Sequence, residues 1–351
     1  MEPEQASLKQ RMVIAVLVVV VLAGAGIFWR MRHAVSPEGA YVGERSLTLW
    51  SRLAQVREPV ASLHYGDRVA IVIRKNEQVQ VRTAAGAVGW TEQRYLLDAA
   101  LWSRGATLRE LARGLPVQAR ARTRVQTNLR VEAGRTAPRL YQFGRGVTVE
   151  ILQRAVVEFS PGGEDPAPGN GRGAAGKNEG REPQQPEVKK EDWVLVRGEA
   201  EGAGEVAGWV LRRFLDLDIP LELADYASGF RFVAWFELNR VPAGAAGEKP
   251  QFLAAGMQGG EGQPCDFTLF RVFTWGAARR RYETAYVESH FCARFPIRVQ
   301  PATATGSDPR FSFTATGKKG AEQRQYVMHQ TSVHRIRESD RARKPAGRQG
   351  R

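Results

Sequence analysis

The chain has 351 residues, with 51 Lys+Arg against 37 Asp+Glu and a formal net charge of +14. That length accommodates two or three domains. The basic balance fits either a polyanionic partner or a solvated Arg-rich surface, but no helix-turn-helix, zinc-finger or RNA-recognition pattern is present, so nucleic acid is not an expected partner. The two cysteines, Cys265 and Cys292, are too few for a disulfide framework and form no Cys-x-x-Cys. One disulfide and two buried thiols are equal alternatives.

After a short tail (1–11), residues 12–29 run from Met12 to Trp29 without a charge. As a helix this run rises ~27 Å, enough to span a hydrocarbon core. Lys9 and Arg11 precede it, Arg30 and Arg32 follow it, and Trp29 sits where an interfacial aromatic belongs. A cleaved signal peptide ending at Ala23-Gly24-Ala25 competes, but the apolar run continues through Ile27-Phe28-Trp29. The balanced flanks leave orientation open. Residues 30–44, with Pro37 and Gly39, read as a spacer.

Residues 45–98 show short β patterns, including Val69–Ile73 and Val79-Gln80-Val81. The segment 99–124 reads as a helical connector: Thr107 and Glu110 have capping-box spacing, Leu108 and Leu111 share a face, and Gly114 and Pro116 end it. Residues 125–218 repeat the β pattern around an insertion at 159–191 that is rich in Gly, Pro, Glu and Lys. With almost no apolar residues, that insertion is expected to be a disordered loop. Within it, Gly171 to Gly176 fits G-x-G-x-x-G and Gly171 to Asn178 approaches a P-loop, but neither is flanked by a strand and a helix, and Asn178 stands where a Ser or Thr is needed.

The two β regions share a motif. Gly66-Asp67-Arg68-Val69, Val79-Gln80-Val81, Gly89-Trp90 and Tyr95-Leu96 recur as Gly144-Arg145-Gly146-Val147, Val194-Leu195-Val196, Gly208-Trp209 and Phe214-Leu215. This resembles the bacterial SH3-like domain, a small β-barrel used for binding. Asn128-Leu129-Arg130 followed by Gly134 and Pro138 is similar to that family's opening strand and RT-type loop, whereas the first copy has Leu47-Thr48-Leu49-Trp50 there. The resemblance implies binding in an aromatic groove beside that loop, with Trp50 and Tyr65 as candidates in the first copy and Tyr141 and Trp193 in the second. Trp90 and Trp209 are expected to pack the barrels. It also implies a location outside the cytoplasm.

Residues 219–338 carry aromatic and β-branched runs at Phe230–Phe236, Phe267–Phe273, Tyr282–Val287, Phe295–Val299, Phe311–Thr314 and Tyr326–Met328, broken by Gly-rich stretches. They read as an antiparallel β domain. Residues 339–351 form a basic tail, expected to be disordered. The fold class is therefore mainly β: an N-terminal transmembrane helix, two SH3-like barrels joined by a short helix, and a C-terminal β domain.

No catalytic residue, metal ligand or cofactor is expected. Cys265 and Cys292 lie beside strand patterns without the Asp-Cys-Ser-Gly of cell-wall cysteine peptidases, and His290, His329 and His334 lack His-Glu-x-x-His spacing. The expected function is that of a single-pass inner-membrane protein binding peptidoglycan or an envelope protein outside the cytoplasm. A cell-wall hydrolase with a catalytic C-terminal domain and a cytoplasm-facing anchor for an acidic partner are the alternatives.

Overall fold

A computed structural model describes residues 38–159, 189–202, 204–226, 231–244, 247–302, 307–317 and 320–337. The expected membrane helix at 12–29, the decoy motifs at 171–178, most of the insertion and the basic tail lie outside the described residues. Among the described residues no helix is long and apolar enough to cross a membrane.

Alternating burial builds the first copy. Strands β1 (Glu38–Val42), β2 (Ser46–Trp50), β3 (Pro59–His64), β4 (Arg68–Lys75), β5 (Gln78–Thr83), β6 (Val88–Glu92) and β7 (Leu96–Asp98) form one antiparallel sheet, ordered β3-β2-β6-β5-β4-β1-β7. Every second residue turns inward, so Ala40, Val42, Leu47, Leu49, Leu63, Val69, Val79 and Val81 make its core. The expected closed barrel is an open sheet whose edges are β3 and β7. Residues 38–42, expected as spacer, are strand: β1 pairs with both β4 and β7, and those two ladders outweigh the breaker residues beside it.

Helix α1 (Ala99–Arg113) follows. It is longer than its sequence signature. Thr107 lies mid-helix rather than at its N-terminus, donating its hydroxyl to Ser103 O at 3.1 Å. Ala112 is buried, and Leu108, Leu115, Val117 and Trp209 pack with it over Leu152, Leu195 and Ala207.

The second copy repeats the sheet. Strands β8 (Ala119–Thr123), β9 (Thr127–Arg130), β10 (Arg139–Phe143), β11 (Thr148–Phe159), β12 (Lys189–Ala200), β13 (Gly204–Leu211) and β14 (Leu215–Leu217) take the order β10-β9-β13-β12-β11-β8-β14. It too is open rather than a closed barrel. Phe159 and Lys189–Glu191, assigned by sequence to the insertion, are strand residues of the β11–β12 hairpin.

The structure corrects two details of the repeat. The glycine equivalent to Gly66 is Gly146, not Gly144. Both have positive φ, +86° and +82°, and their N–H groups donate to Val42 O and Thr123 O. In each Gly-Trp pair it is the glycine that faces the core. A Cβ on Gly89 would lie 2.8 Å from Leu49 Cβ, and one on Gly208 would lie 2.6 Å from Leu129 Cγ and 2.8 Å from Arg130 O. Trp90 and Trp209 point the other way and are half-buried.

The C-terminal region is a seven-stranded meander of β15 (Arg231–Pro242), β16 (Glu248–Met257), β17 (Phe267–Gly276), β18 (Arg281–Gln300), β19 (Arg310–Gly317), β20 (Gly320–His329) and β21 (Ser332–Ile336), each strand pairing with the next. A one-turn helix, α2 (Leu221–Ala224), precedes it. The runs at Tyr282–Val287 and Phe295–Val299 are one strand, bent at His290 (φ +64°). One face curls around Phe267, Phe270, Phe291, Phe311, Phe313 and Tyr326. The other covers Phe232, Phe252, Phe273 and Tyr282 and packs against Leu217 and Ile219. Cys265 and Cys292 form a disulfide across a separation of 27 residues, which resolves the alternative the sequence left open. Strands β1–β7 make one compact unit, and everything from Ala99 onward, with Gly43–Arg45, makes the other.

Two outcomes follow from this packing. Gly208→Ala is expected to destabilise by about 1–3 kcal/mol through overpacking against backbone and Leu129, whereas Gly144→Ala, with nothing within 4 Å of its Cβ, stays close to wild type in urea unfolding. Reduction, or Cys265→Ser with Cys292→Ser, lowers unfolding free energy by about 3–4 kcal/mol from the loop closed by the bond; an unfolding midpoint unmoved by reductant would contradict it.

Candidate functional site

Of the four residues singled out by sequence, Trp50 lies on the outward face of the first copy. It ends β2, is half-buried, and pairs directly with Trp90 across the β2–β6 ladder. The Arg57 guanidinium lies 4.3 Å over its ring. The loop 51–58, closed by Ser51 N–H to Glu58 O at 2.9 Å, presents Leu53 and Val56 beside it, and Val60 follows on the edge strand β3. Val56 is 81% exposed. Tyr65 is half-buried at the other end of the β2–β3 ladder, where Ser46 faces His64. Some four residues of strand separate the two, about 14 Å, so they do not form one groove.

Tyr141 and Trp193 are core residues, a correction to the expected second groove. Tyr141 is 3% exposed and meets Phe143 edge-on at 5.6 Å, and burial pushes its hydroxyl pKa up. Trp193 is 2% exposed on the long hairpin. Both lie on strands whose inward periodicity a groove assignment by family position does not register. The rigid Trp50–Trp90 pair was legible in part, since Gly-Trp marked the strand but not the face.

The first copy also holds a cavity of about 520 Å³ lined by Glu38 and Ala40 on β1, Ile71 and Arg74 on β4, Asn76 and Glu77 in the β4–β5 turn, Glu92, Gln93 and Arg94, and Leu96 and Asp98 on β7. Its cations are tied locally: Arg74 Nη2 to Glu38 at 2.7 Å and Arg94 Nε to Glu92 at 2.6 Å. Arg94 is exposed, and hydrogen bonding to Tyr95 raises its pKa. Composition and motif gave no signal for this cavity, because its residues come from three separate stretches of chain.

The second copy carries a buried ionic cluster. The Arg154 side chain is 4% exposed. Its guanidinium donates to Asp192 Oδ1 (2.5 Å), to Gln263 O (2.9 Å) and Cys265 O (2.8 Å), and to Asp266 Oδ1 (3.3 Å). Asp192 also accepts from Gly262 N–H at 2.9 Å, and Asp266 from Phe295 N–H at 2.8 Å. Burial pushes the Asp266 carboxyl up, against the pull of Arg154 and Arg294. Nearby, Glu191, 2% exposed, receives Arg135 and Arg213 at 2.7 and 2.5 Å. Burial alone would raise its pKa, but the two guanidinium hydrogen bonds prevail and hold it below the ordinary range. Gln118, with no exposed surface, exchanges two hydrogen bonds with Ile297.

Both cysteines and two of the three histidines considered for catalysis have structural partners. Both cysteines are in the disulfide. His290 Nδ1 contacts Ser289 Oγ at 2.8 Å, and His329 Nδ1 contacts the Asp308 carboxylate at 3.2 Å. Glu288 takes Tyr286, Tyr326 and Arg324, and Glu283 pairs with Arg279. Among the described residues no group of three or more His, Cys, Asp or Glu is placed to hold a metal ion.

No protein-family profile and no curated protein matches the chain. Among solved structures, NlpC2 from Trichomonas vaginalis is 11% identical, with 54% of this chain and 51% of that one covered and a TM-score of 0.16. An NlpC/P60 family protein from Bacillus cereus ATCC 10987 is 10% identical, with 72% and 94% covered and a TM-score of 0.21. The chain spans about half the length of the Trichomonas protein. Likeness at this level establishes neither fold nor activity.

Arg154→Met is expected to destabilise by about 3–5 kcal/mol, because it leaves Asp192 and Asp266 buried without their main partner; denaturant unfolding measures it. The Glu191 carboxyl is depressed in the folded state, so its contribution is present above its ordinary pKa near 4.5 and is lost as pH falls through the lower folded value. Asp266, raised by burial, acts with the opposite sign. Glu191→Gln should therefore flatten the acid limb of a stability–pH curve, and an unchanged limb would refute the assignment.

Proposed function

We propose that this protein is a non-catalytic binding protein of a bacterial cell envelope. In this reading two SH3-like modules and a C-terminal β domain stand outside the cytoplasm behind a membrane helix at residues 12–29, and they recognise peptidoglycan or an envelope protein. The observation that carries it is the Trp50–Trp90 pair under Arg57, flanked by exposed Leu53, Val56 and Val60. Two indoles facing each other across a ladder offer large contact area with little rotamer entropy to lose, and the exposed apolar side chains of the adjoining loop and edge strand add to that area. The Cys265–Cys292 disulfide supports the compartment, because such bonds persist where thiols are not kept reduced.

The test is co-sedimentation of the full-length protein with purified peptidoglycan sacculi at physiological salt, beside a variant lacking the residues after Glu338 to remove the basic tail. Trp50→Ala and Trp90→Ala should each weaken binding by about 2 kcal/mol, roughly 30-fold in Kd, as a central aromatic anchor does. Protein left in the supernatant sinks the peptidoglycan reading and leaves the envelope protein. Binding indifferent to both substitutions removes the aromatic pair from the site.

A further inference from the structure

The two copies place two arginines and one acid at equivalent positions, and in the second copy a segment of the chain already sits on them. In the first copy Glu38, Glu92 and Asp98 also line the cavity, where the second copy has Ala119, Leu211 and Leu217. Backbone register establishes the equivalence. Ala40 pairs with Val69 and Asp98, and Ala121 pairs with Val149 and Leu217. Val81 faces Gly89 as Val196 faces Gly208. Counting back two pairs along each hairpin, Arg74 faces Val79 and Arg154 faces Val194, each just past a bulge. Glu77 precedes Gln78, which pairs with Glu92; Asp192 precedes Trp193, which pairs with Leu211. Arg94 and Arg213 are the middle residues of matching 3-10 turns, Gln93–Tyr95 and Arg212–Phe214. Arg74, Glu77 and Arg94 are therefore the counterparts of Arg154, Asp192 and Arg213.

In the second copy those three side chains hold the turn from Glu261 to Asp266. Arg213 binds the Glu261 carboxylate at 3.3 Å, and Asp192 accepts the Gly262 N–H. Arg154 reads the Gln263 and Cys265 carbonyls and the Asp266 carboxylate. In the first copy the same three residues line the 520 Å³ cavity, a size within the ~300–1,000 Å³ of ordinary ligand sites. The Arg74 side chain there is 39% exposed, against 4% for Arg154. It is held by Glu38, where the second copy has Ala119. An ion pair this exposed contributes little, so Glu38 yields to an incoming carboxylate at little cost.

We propose that this cavity is a docking site for a turn of a partner protein that presents two backbone carbonyls and two carboxylates, in the way the turn Glu261 to Asp266 docks on the second copy. Specificity resides in the guanidinium fork, which suits carbonyl and carboxylate acceptors together, with Glu77 taking a backbone N–H. The proposal does not depend on the Trp50–Trp90 surface, which lies on β2 and β6.

The probe is a fluorine-tagged cyclic peptide of sequence Glu-Gly-Gln-Pro-Ser-Asp, the ring standing in for the constraint that the disulfide supplies. Full-length protein is added, and line broadening of the tag is read at millimolar peptide. The expected result is broadening that untagged peptide reverses, that weakens roughly tenfold in Arg74→Ala and in Arg94→Ala, and that persists in Trp50→Ala. The peptide with Gln and Asn in place of its two acids should bind correspondingly less. No reversible broadening with folded wild-type protein overturns the proposal. So does broadening unchanged in both arginine variants, which would place the peptide elsewhere.

Discussion

A guanidinium cannot shed its charge at any pH a protein tolerates, and the buried Arg154 therefore organises the structure around it. Five N–H donors must be met where water does not reach. The acceptors come from β12 (Asp192) and from the turn Gln263–Asp266. The disulfide at Cys265 ties that turn to β18, and Asp266 is itself held by Phe295 N–H. The long β11–β12 hairpin is what carries Arg154 and Asp192 out to the C-terminal sheet. Gln118 and Ile297 make a second polar fastening, and Leu217 adds apolar contact with the other face of the meander. These interactions make the second copy and the C-terminal domain one body.

The copies diverge as a consequence. The face committed to an internal contact is less acidic: Glu92 and Asp98 of the first copy stand where the second has Leu211 and Leu217. The outward aromatic face changes too. Trp209 packs in one cluster with Leu108 of helix α1 and Leu115 just beyond it, and its cross-strand neighbour is Arg130, whereas Trp90 faces Trp50. The half-exposed tryptophan pair and the open cavity both belong to the first copy. One copy is a structural joint, and the other keeps its cavity open to solvent.

Much of the architecture was legible in the sequence, because strand identity is a local property. Alternating burial at period 2 appears in Leu47–Trp50 and Val79–Val81, and the aromatic runs of β17, β19 and β20 are continuous. Strand β16 was missed because Pro250, Ala254, Ala255 and Gly256 carry weak β preference; their small size is what lets that strand be buried on both faces. The turn glycine was displaced by two residues because Gly144 and Gly146 are equally spaced candidates by eye, and only φ distinguishes them.

The sequence by itself determined that the chain is mainly β, that a Gly-Trp pattern occurs twice, that a helix separates the copies, and that two cysteines lie in the C-terminal region. These follow from periodicity and composition, which neighbouring residues encode. Tertiary structure alone decided which member of each Gly-Trp pair faces inward, that Tyr141 and Trp193 are core, that Cys265 meets Cys292, and that the Arg154 side chain is buried. Each of those depends on close approach between segments far apart in the chain, as at Gly208, where Leu129 leaves no room for a Cβ, and between Arg154 and Asp192 at 2.5 Å. Such distances are set by how strands cross and dock, and no window of sequence contains them.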